Sequence, residues 1–211
     1  SREVYLDPAS VTPENYREAP RHTIGWYHRQ FAVPRSWRDR RVFLNIGAVD
    51  WHCRLWVNGI AVGEAVSGYV PLSFDITEAL NWEAESVVIR VEDPFEHGRQ
   101  PIGKQVSNWY QRTSGIWQTV WLEPRGPVHL REVLAYPSLA QGQVRFAVAL
   151  DGQVGGDLSV RIEVRSATGM LAGHGSASVD AETVQLTIPI DRPRAWTPDQ
   201  PHMYRATVTV H

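Results

Sequence analysis

One cysteine, one lysine and no long apolar run mark this 211-residue chain. The lone Cys53 excludes an intrachain disulfide. Its neighbours at spacing two, Trp51 and Leu55, are apolar, so it reads as a small core residue rather than a reactive thiol. Charge of either sign is not in excess: 21 basic against 23 acidic residues give a net charge of -2. No field exists to hold a nucleic acid or an anionic membrane, and neither is expected as a partner. No stretch approaches the roughly 18 apolar residues of a membrane-spanning helix. The opening SREVYLDPAS has no signal-peptide core. The expectation is therefore a cytoplasmic chain, or one whose export signal has been removed. Ser-His-Asp elbow, phosphate loop and GxGxxG turn are all missing, and no cofactor is expected.

What is present is a β pattern. Hydrophobic residues make up 43% of the chain, enough for a packed core. Val42, Leu44 and Ile46 alternate with Phe43 and Asn45. Trp51, Cys53, Leu55 and Val57 alternate with His52, Arg54 and Trp56. That second run ends at Asn58-Gly59, the pair suited to a type I′ turn with positive φ at both central residues. A strand from Ile60 to Ala65 then returns, and Val87, Ile89 and Val91 supply another row. Thr77 is the one helix cap in view, for a single turn from Glu78 to Leu80.

Beyond Pro124-Arg125-Gly126-Pro127 the texture changes, and a domain boundary is expected near residue 126. Eight of the nine tryptophans precede it. After it come the rows Val144 to Leu150, Leu158 to Val164, Val184 to Ile190 and Tyr204 to Val210, each apolar at every second position. Short strands at this spacing predict a small antiparallel sandwich of the immunoglobulin type, without the Cys-Trp-Cys framework of antibody domains. The chain ends on a strand at His211, which points to a longer protein.

Chemistry is concentrated in one loop, from Asp93 to Gly115. A connection this long inside a sandwich tends to be functional or disordered. Phe95, Trp109, Tyr110 and two prolines favour order. Asp93, Arg99, Lys104 and Gln105 are planar or multivalent hydrogen-bonding groups of the kind that hold hydroxyls. Trp109 and Tyr110 offer rings on which the apolar face of a pyranose can lie. These six are the candidate substrate-binding residues. Three of them also have a plainer reading: Trp109 as a plug closing one end of the sandwich, Lys104 as a solvated cation, Asp93-Pro94 as the start of a turn. His97 lacks a second ligand at metal spacing. Asp93 and Glu96 are too close in one loop to be a glycosidase acid and nucleophile. No catalytic residue is expected within the chain.

The stretch after the loop, TSGIWQTVWLEP, reads as one strand from Ile116 to Leu122. Ile116, Val120 and Leu122, with Gln118 as an exception, would fill the core. Trp117 and Trp121 fall on the opposite face. Burying one tryptophan removes about 150–250 Å² from water, roughly 4–6 kcal/mol. The expectation is a second apolar face that packs on another domain.

Five segments in order resemble glycoside hydrolase family 2: Gly25 to Phe31 with Val33-Pro34, Phe43 to Asp50, Leu55 to Gly59, Gly68 to Thr77, and Ser114 to Glu123. Trp196-Thr197-Pro198-Asp199-Gln200-Pro201 with Tyr204 is similar to the end of that family's immunoglobulin-like domain. The resemblance implies an all-β chain: a galactose-binding-like jelly-roll sandwich over 1–125, then an immunoglobulin-like sandwich over 126–211. It further implies that both catalytic glutamates belong to a (β/α)₈ barrel, for which these residues show no strand-helix alternation. The chain then supports the barrel and walls its pocket for a β-glycoside, in a parent that is open to homo-oligomer formation. A free-standing carbohydrate-binding module and a structural or oligomer-forming segment are the alternatives.

Overall fold

The computed structural model describes residues 3–5, 24–94, 100, 110 and 113–211. The chain divides into two compact units, Ser1–Arg125 and Gly126–His211. Unit 1 contains β1 (Glu3–Tyr5), β2 (Ile24–Phe31), β3 (Arg41–Ile46), β4 (Val49–Asp50), β5 (His52–Val57), β6 (Ile60–Val66), β7 (Leu72–Asp75), β8 (Glu85–Glu92), β9 (Gly115–Ile116) and β10 (Val120–Arg125). One sheet runs β1-β2-β8-β5-β6, a second β10-β3-β7, and β4 pairs with β9. Every pairing is antiparallel. Alternation decides what is inside. Val42, Leu44 and Ile46 of β3 meet Cys53, Leu55 and Val57 of β5 and Val87, Ile89 and Val91 of β8 in one core. Cys53 is wholly buried, and desolvation pushes its thiol up to about 12.

The Asn58-Gly59 turn forms as its residues require, with φ of 51° and 80°. Asn58 does more than turn the chain. Its amide donates to Ala79 O at 2.8 Å and to Glu85 Oε2 at 2.5 Å, while its Oδ1 accepts from Ser86 N at 2.9 Å. Glu85 also accepts from the backbone N–H groups of Asn81 and Trp82. Burial pushes the Glu85 carboxyl up, but these hydrogen bonds outweigh it and hold the group below its ordinary value.

Two expectations are corrected. Thr77 does not cap a turn by itself. The turn is a 3₁₀ turn over Thr77–Ala79, and Asp75 closes its start by accepting from Thr77 N at 3.0 Å. The Thr77 hydroxyl accepts from Val42 N instead, at 2.9 Å. Nor is Ile116 to Leu122 one strand. β9 pairs with β4 and β10 with β3, and residues 117–119 form a jog between them. The reason is the partner. The chain steps sideways at Gly47 and Ala48 between β3 and β4, and the opposing segment follows through Gly47 N to Thr119 O (2.8 Å) and Trp117 N to Ala48 O (3.3 Å). Ile116 and Leu122 still pack against the core.

Unit 2 holds β11 (His129–Ser138), β12 (Gln143–Asp151), β13 (Ser159–Ser166), β14 (Leu171–Ser178), β15 (Thr183–Pro189) and β16 (Tyr204–Val210). Its sheets are β11-β12-β15 and β14-β13-β16. Val144, Phe146, Val148 and Leu150 face Val160, Ile162 and Val164 across the core, as alternation predicts. Tyr204 Oη accepts from Arg194 N at 2.9 Å, and a bridge pairs Trp196 with Pro201.

Candidate functional site

The site lies in unit 1, where β4, the end of β8 and the start of β9 come together. β8 carries an aliphatic inward row to Val91, and the next inward position is Asp93. β4 delivers Asp50 beside Gly115 in the β4–β9 register. Both carboxylates are removed from solvent, with Asp50 5% and Asp93 4% exposed. A buried carboxylate is costly unless donors surround it. The Gln100 amide nitrogen serves both: it donates to Asp50 Oδ1 at 2.8 Å and to Asp93 Oδ1 at 2.7 Å. The Ser114 hydroxyl donates to Asp93 Oδ2 in a short bond. Residues 93, 100 and 114 span the loop, so one cluster roots its beginning, a point within it and its end.

Gly115 makes the exit possible. Its φ is +88°, and a Cβ there would lie 2.1 Å from Tyr27 Oη. That hydroxyl accepts from Ile116 N at 3.2 Å, tying the exit to β2. Beside the cluster an aromatic flank begins. Trp117 Nε1 donates to Gly68 O at 2.9 Å, and the ring meets Tyr69 edge-on at 6.2 Å. Trp117 and Trp121 keep 48% and 41% of their surface, so neither is absorbed into the core of unit 1. With Gly47, Pro71, Ile116, Gln118 and Thr119 they line an open concavity of about 660 Å³.

Of the six residues expected to hold sugar, two are described. Asp93 is at the root of the loop, in contact with Gln100 and Ser114 rather than with solvent. Tyr110 is 66% exposed. Arg99, Lys104, Gln105 and Trp109 lie outside the described residues. Asp50, Gln100 and Ser114 were not expected. They sit 43, 7 and 21 positions from Asp93, and no spacing rule links such a set; only the Asp-Pro start and the Ser-Gly end of the loop were visible. Among the described residues no group of three or more His, Cys, Asp or Glu could hold a metal. Asp50 and Asp93 do not form a catalytic pair as they stand. An amide is wedged between them, both are buried, and neither lines the concavity beside Trp117.

The comparisons agree with this architecture. The model of the family described as glycosyl hydrolase 2 galactose-binding domain-like matches residues 3–125, and that of glycosyl hydrolases family 2 matches residues 128–211. A beta-galactosidase of Thermoanaerobacter pseudethanolicus is 27% identical over 215 residues, covering 97% of this chain and 28% of the relative. A beta-glucuronidase of Paenibacillus borealis is 26% identical, covering 93% of this chain and 35% of the relative. The crystal structure of a Bacteroides uniformis beta-glucuronidase superimposes with a TM-score of 0.77 at 20% identity, over 98% of this chain and 26% of that one. The chain thus spans about a third or less of the length of these relatives.

Proposed function

The chain belongs to the family 2 glycosyl hydrolases, and from that premise we propose that it is the non-catalytic N-terminal part of a β-glycosidase, supporting and walling the substrate pocket of a catalytic (β/α)₈ barrel. The observation that carries the proposal is the rooting of the 93–115 loop. Asp50, Gln100, Asp93 and Ser114 fix it at three points, so whatever the loop presents has a rigid base. Arg99, Lys104, Gln105, Trp109 and Tyr110 are the residues it offers to the sugar, with Asp93 as the base that positions them. Preorganising such groups matters because a misplacement of about 1 Å can cost a hundredfold in rate. The half-exposed Tyr69, Trp117 and Trp121 form the face that meets the barrel. The substrate is a β-glycoside; the names of the relatives divide between galactosidase and glucuronidase.

The test uses the longer polypeptide with its catalytic domain. Asp93→Asn keeps the side-chain volume but removes the charge that Gln100 and Ser114 complement. Its kcat/KM on 4-nitrophenyl β-galactoside and β-glucuronide should fall at least about tenfold, equivalent to ~1.4 kcal/mol of transition-state stabilisation. Unchanged kcat/KM with both substrates would separate the loop from the pocket.

A further inference from the structure

Asn58 is the only asparagine of the chain that glycine follows; the others precede Tyr16, Ile46, Trp82 and Trp109. The pairing has a chemical consequence beside its conformational one. The backbone nitrogen after an asparagine can reach the side-chain Cγ by closing a cyclic imide. The N–Cγ bond forms, the Cγ–Nδ2 bond breaks, and Nδ2 leaves as ammonia with the proton that the backbone nitrogen gives up. Water then opens the imide at one carbonyl or the other and leaves aspartate or isoaspartate. A side chain on the following residue crowds this approach, and glycine has none. Gly59 is exposed, and no atom lies within 4 Å of the place where its Cβ would be, so water reaches the turn.

The imide closes only if the Asn58 side chain is free to turn towards Gly59 N. In the native chain it is fixed on the 3₁₀ turn and the start of β8 instead. Its amide nitrogen donates to Ala79 O at 2.8 Å and to Glu85 Oε2 at 2.5 Å, and Oδ1 accepts from Ser86 N at 2.9 Å. The Asn58 backbone N–H is held as well, donating to Ser86 O at 2.8 Å. The product does not fit the same place. A carboxylate at position 58 has no hydrogen to donate, so it would face Ala79 O and Glu85 Oε2 acceptor against acceptor. Glu85 is 1% exposed, and two carboxylates in such a site cannot both stay ionised without cost. Isoaspartate adds a backbone methylene to the turn that sets the β5–β6 register. We propose that Asn58 is a deamidation site that the native fold of unit 1 closes and unfolding opens, so that a chain left unfolded is converted at position 58 and no longer regains its native turn.

The test keeps the 211-residue chain in mildly alkaline buffer, with and without urea, and follows its peptides by mass spectrometry. In urea the peptide holding Asn58 should gain the mass of an amide-to-acid conversion before the peptide of any other asparagine. Without urea the same conversion should run at least about tenfold slower, because it proceeds from the opened turn alone. Gly59→Ala should slow the conversion in urea, where the fold plays no part. Converted and unconverted chains, separated by ion exchange after the same time in urea, should differ on its removal: the converted ones should recover less native tryptophan fluorescence. Asn58→Asp gives the aspartate product as one species, and its urea midpoint should fall. Combined with Glu85→Gln it should lose less stability than the two single changes summed, since the repelling pair is gone. Should Asn58→Asp fail to fold, the two conversion rates of the parent chain decide. Four results overturn the proposal: equal rates with and without urea, another asparagine converting first in urea, full refolding of converted chains, or strict additivity of the two substitutions. None of these involves turnover, so the outcome is independent of the role of the loop.

Discussion

Gly115→Ala is the sharpest single test of how the long loop is joined to the sandwich. Two costs add. At φ +88° a residue with a Cβ is strained, by about 1–2 kcal/mol. The new methyl would also stand 2.1 Å from Tyr27 Oη, so the phenol must move and release Ile116 N. That costs about another 1 kcal/mol for the lost hydrogen bond, or more if the N–H is left dry. The sum is roughly 2–4 kcal/mol on unit 1, a fall in Tm of about 6–15 °C for a domain of this size. Thermal and urea unfolding followed by tryptophan fluorescence give the value, since eight tryptophans report on unit 1. A double-mutant cycle isolates the contact. Tyr27→Phe alone should cost about 1 kcal/mol. Together with Gly115→Ala it should cost at least about 1 kcal/mol less than the sum, because the colliding oxygen is gone. Strict additivity, or a Gly115→Ala cost below about 0.5 kcal/mol, would show that the new methyl and the Tyr27 phenol do not collide.

Three other outcomes follow from the same structure. Asp93→Ala takes away the acceptor of the Ser114 hydroxyl and one of the two that the Gln100 amide serves, and should cost about 1–3 kcal/mol; limited proteolysis should then cut between residues 93 and 115 faster than in the parent chain, and an unchanged cleavage pattern would contradict the rooting. The folded-state pKa of Glu85 is lowered from 4.5, so its stabilisation is complete above that value and fades as pH falls through the lowered one. Glu85→Gln should therefore lower the unfolding free energy from urea titration by about 1–3 kcal/mol at neutral pH and by clearly less at pH ~3; an equal loss at both would show that the charge of the carboxylate is not what stabilises the turn. Cys53, buried with a thiol pushed up to about 12, should not react with a disulfide reagent such as DTNB in the native chain and should titrate as one thiol in denaturant; fast native labelling would place it at the surface.

The sandwich was legible wherever a strand carries a large apolar residue at every second position. Val42 to Ile46, Cys53 to Val57, Val144 to Leu150 and Val160 to Val164 all face inward as alternation requires. β14, Leu171–Ser178, shows no strand pattern because after Leu171 it is built of Ala, Gly, Ser and His and has no aliphatic row. β11, His129–Ser138, shows none because most of its residues are exposed on both parities. The jog at 117–119 was invisible for a different reason: it copies a step in the partner strand, which the local pattern of Ile116 to Leu122 does not encode. At the site, Asp93 could be singled out because it opens a long loop. Asp50, Gln100 and Ser114 could not, because what unites them is the folded end of a sheet. Asn58 shows both cases in one residue: its turn was readable from Asn-Gly, its hold on Glu85 was not.

If this polypeptide supplies support and a loop to a sugar pocket while the bond-breaking groups reside elsewhere, it has no hydrolytic activity of its own. The hydrolysis of 4-nitrophenyl β-galactoside and β-glucuronide by the purified 211-residue chain alone decides this. Release of nitrophenol no faster than in buffer is expected. Turnover that rises in proportion to the chain and survives repeated purification would contradict it.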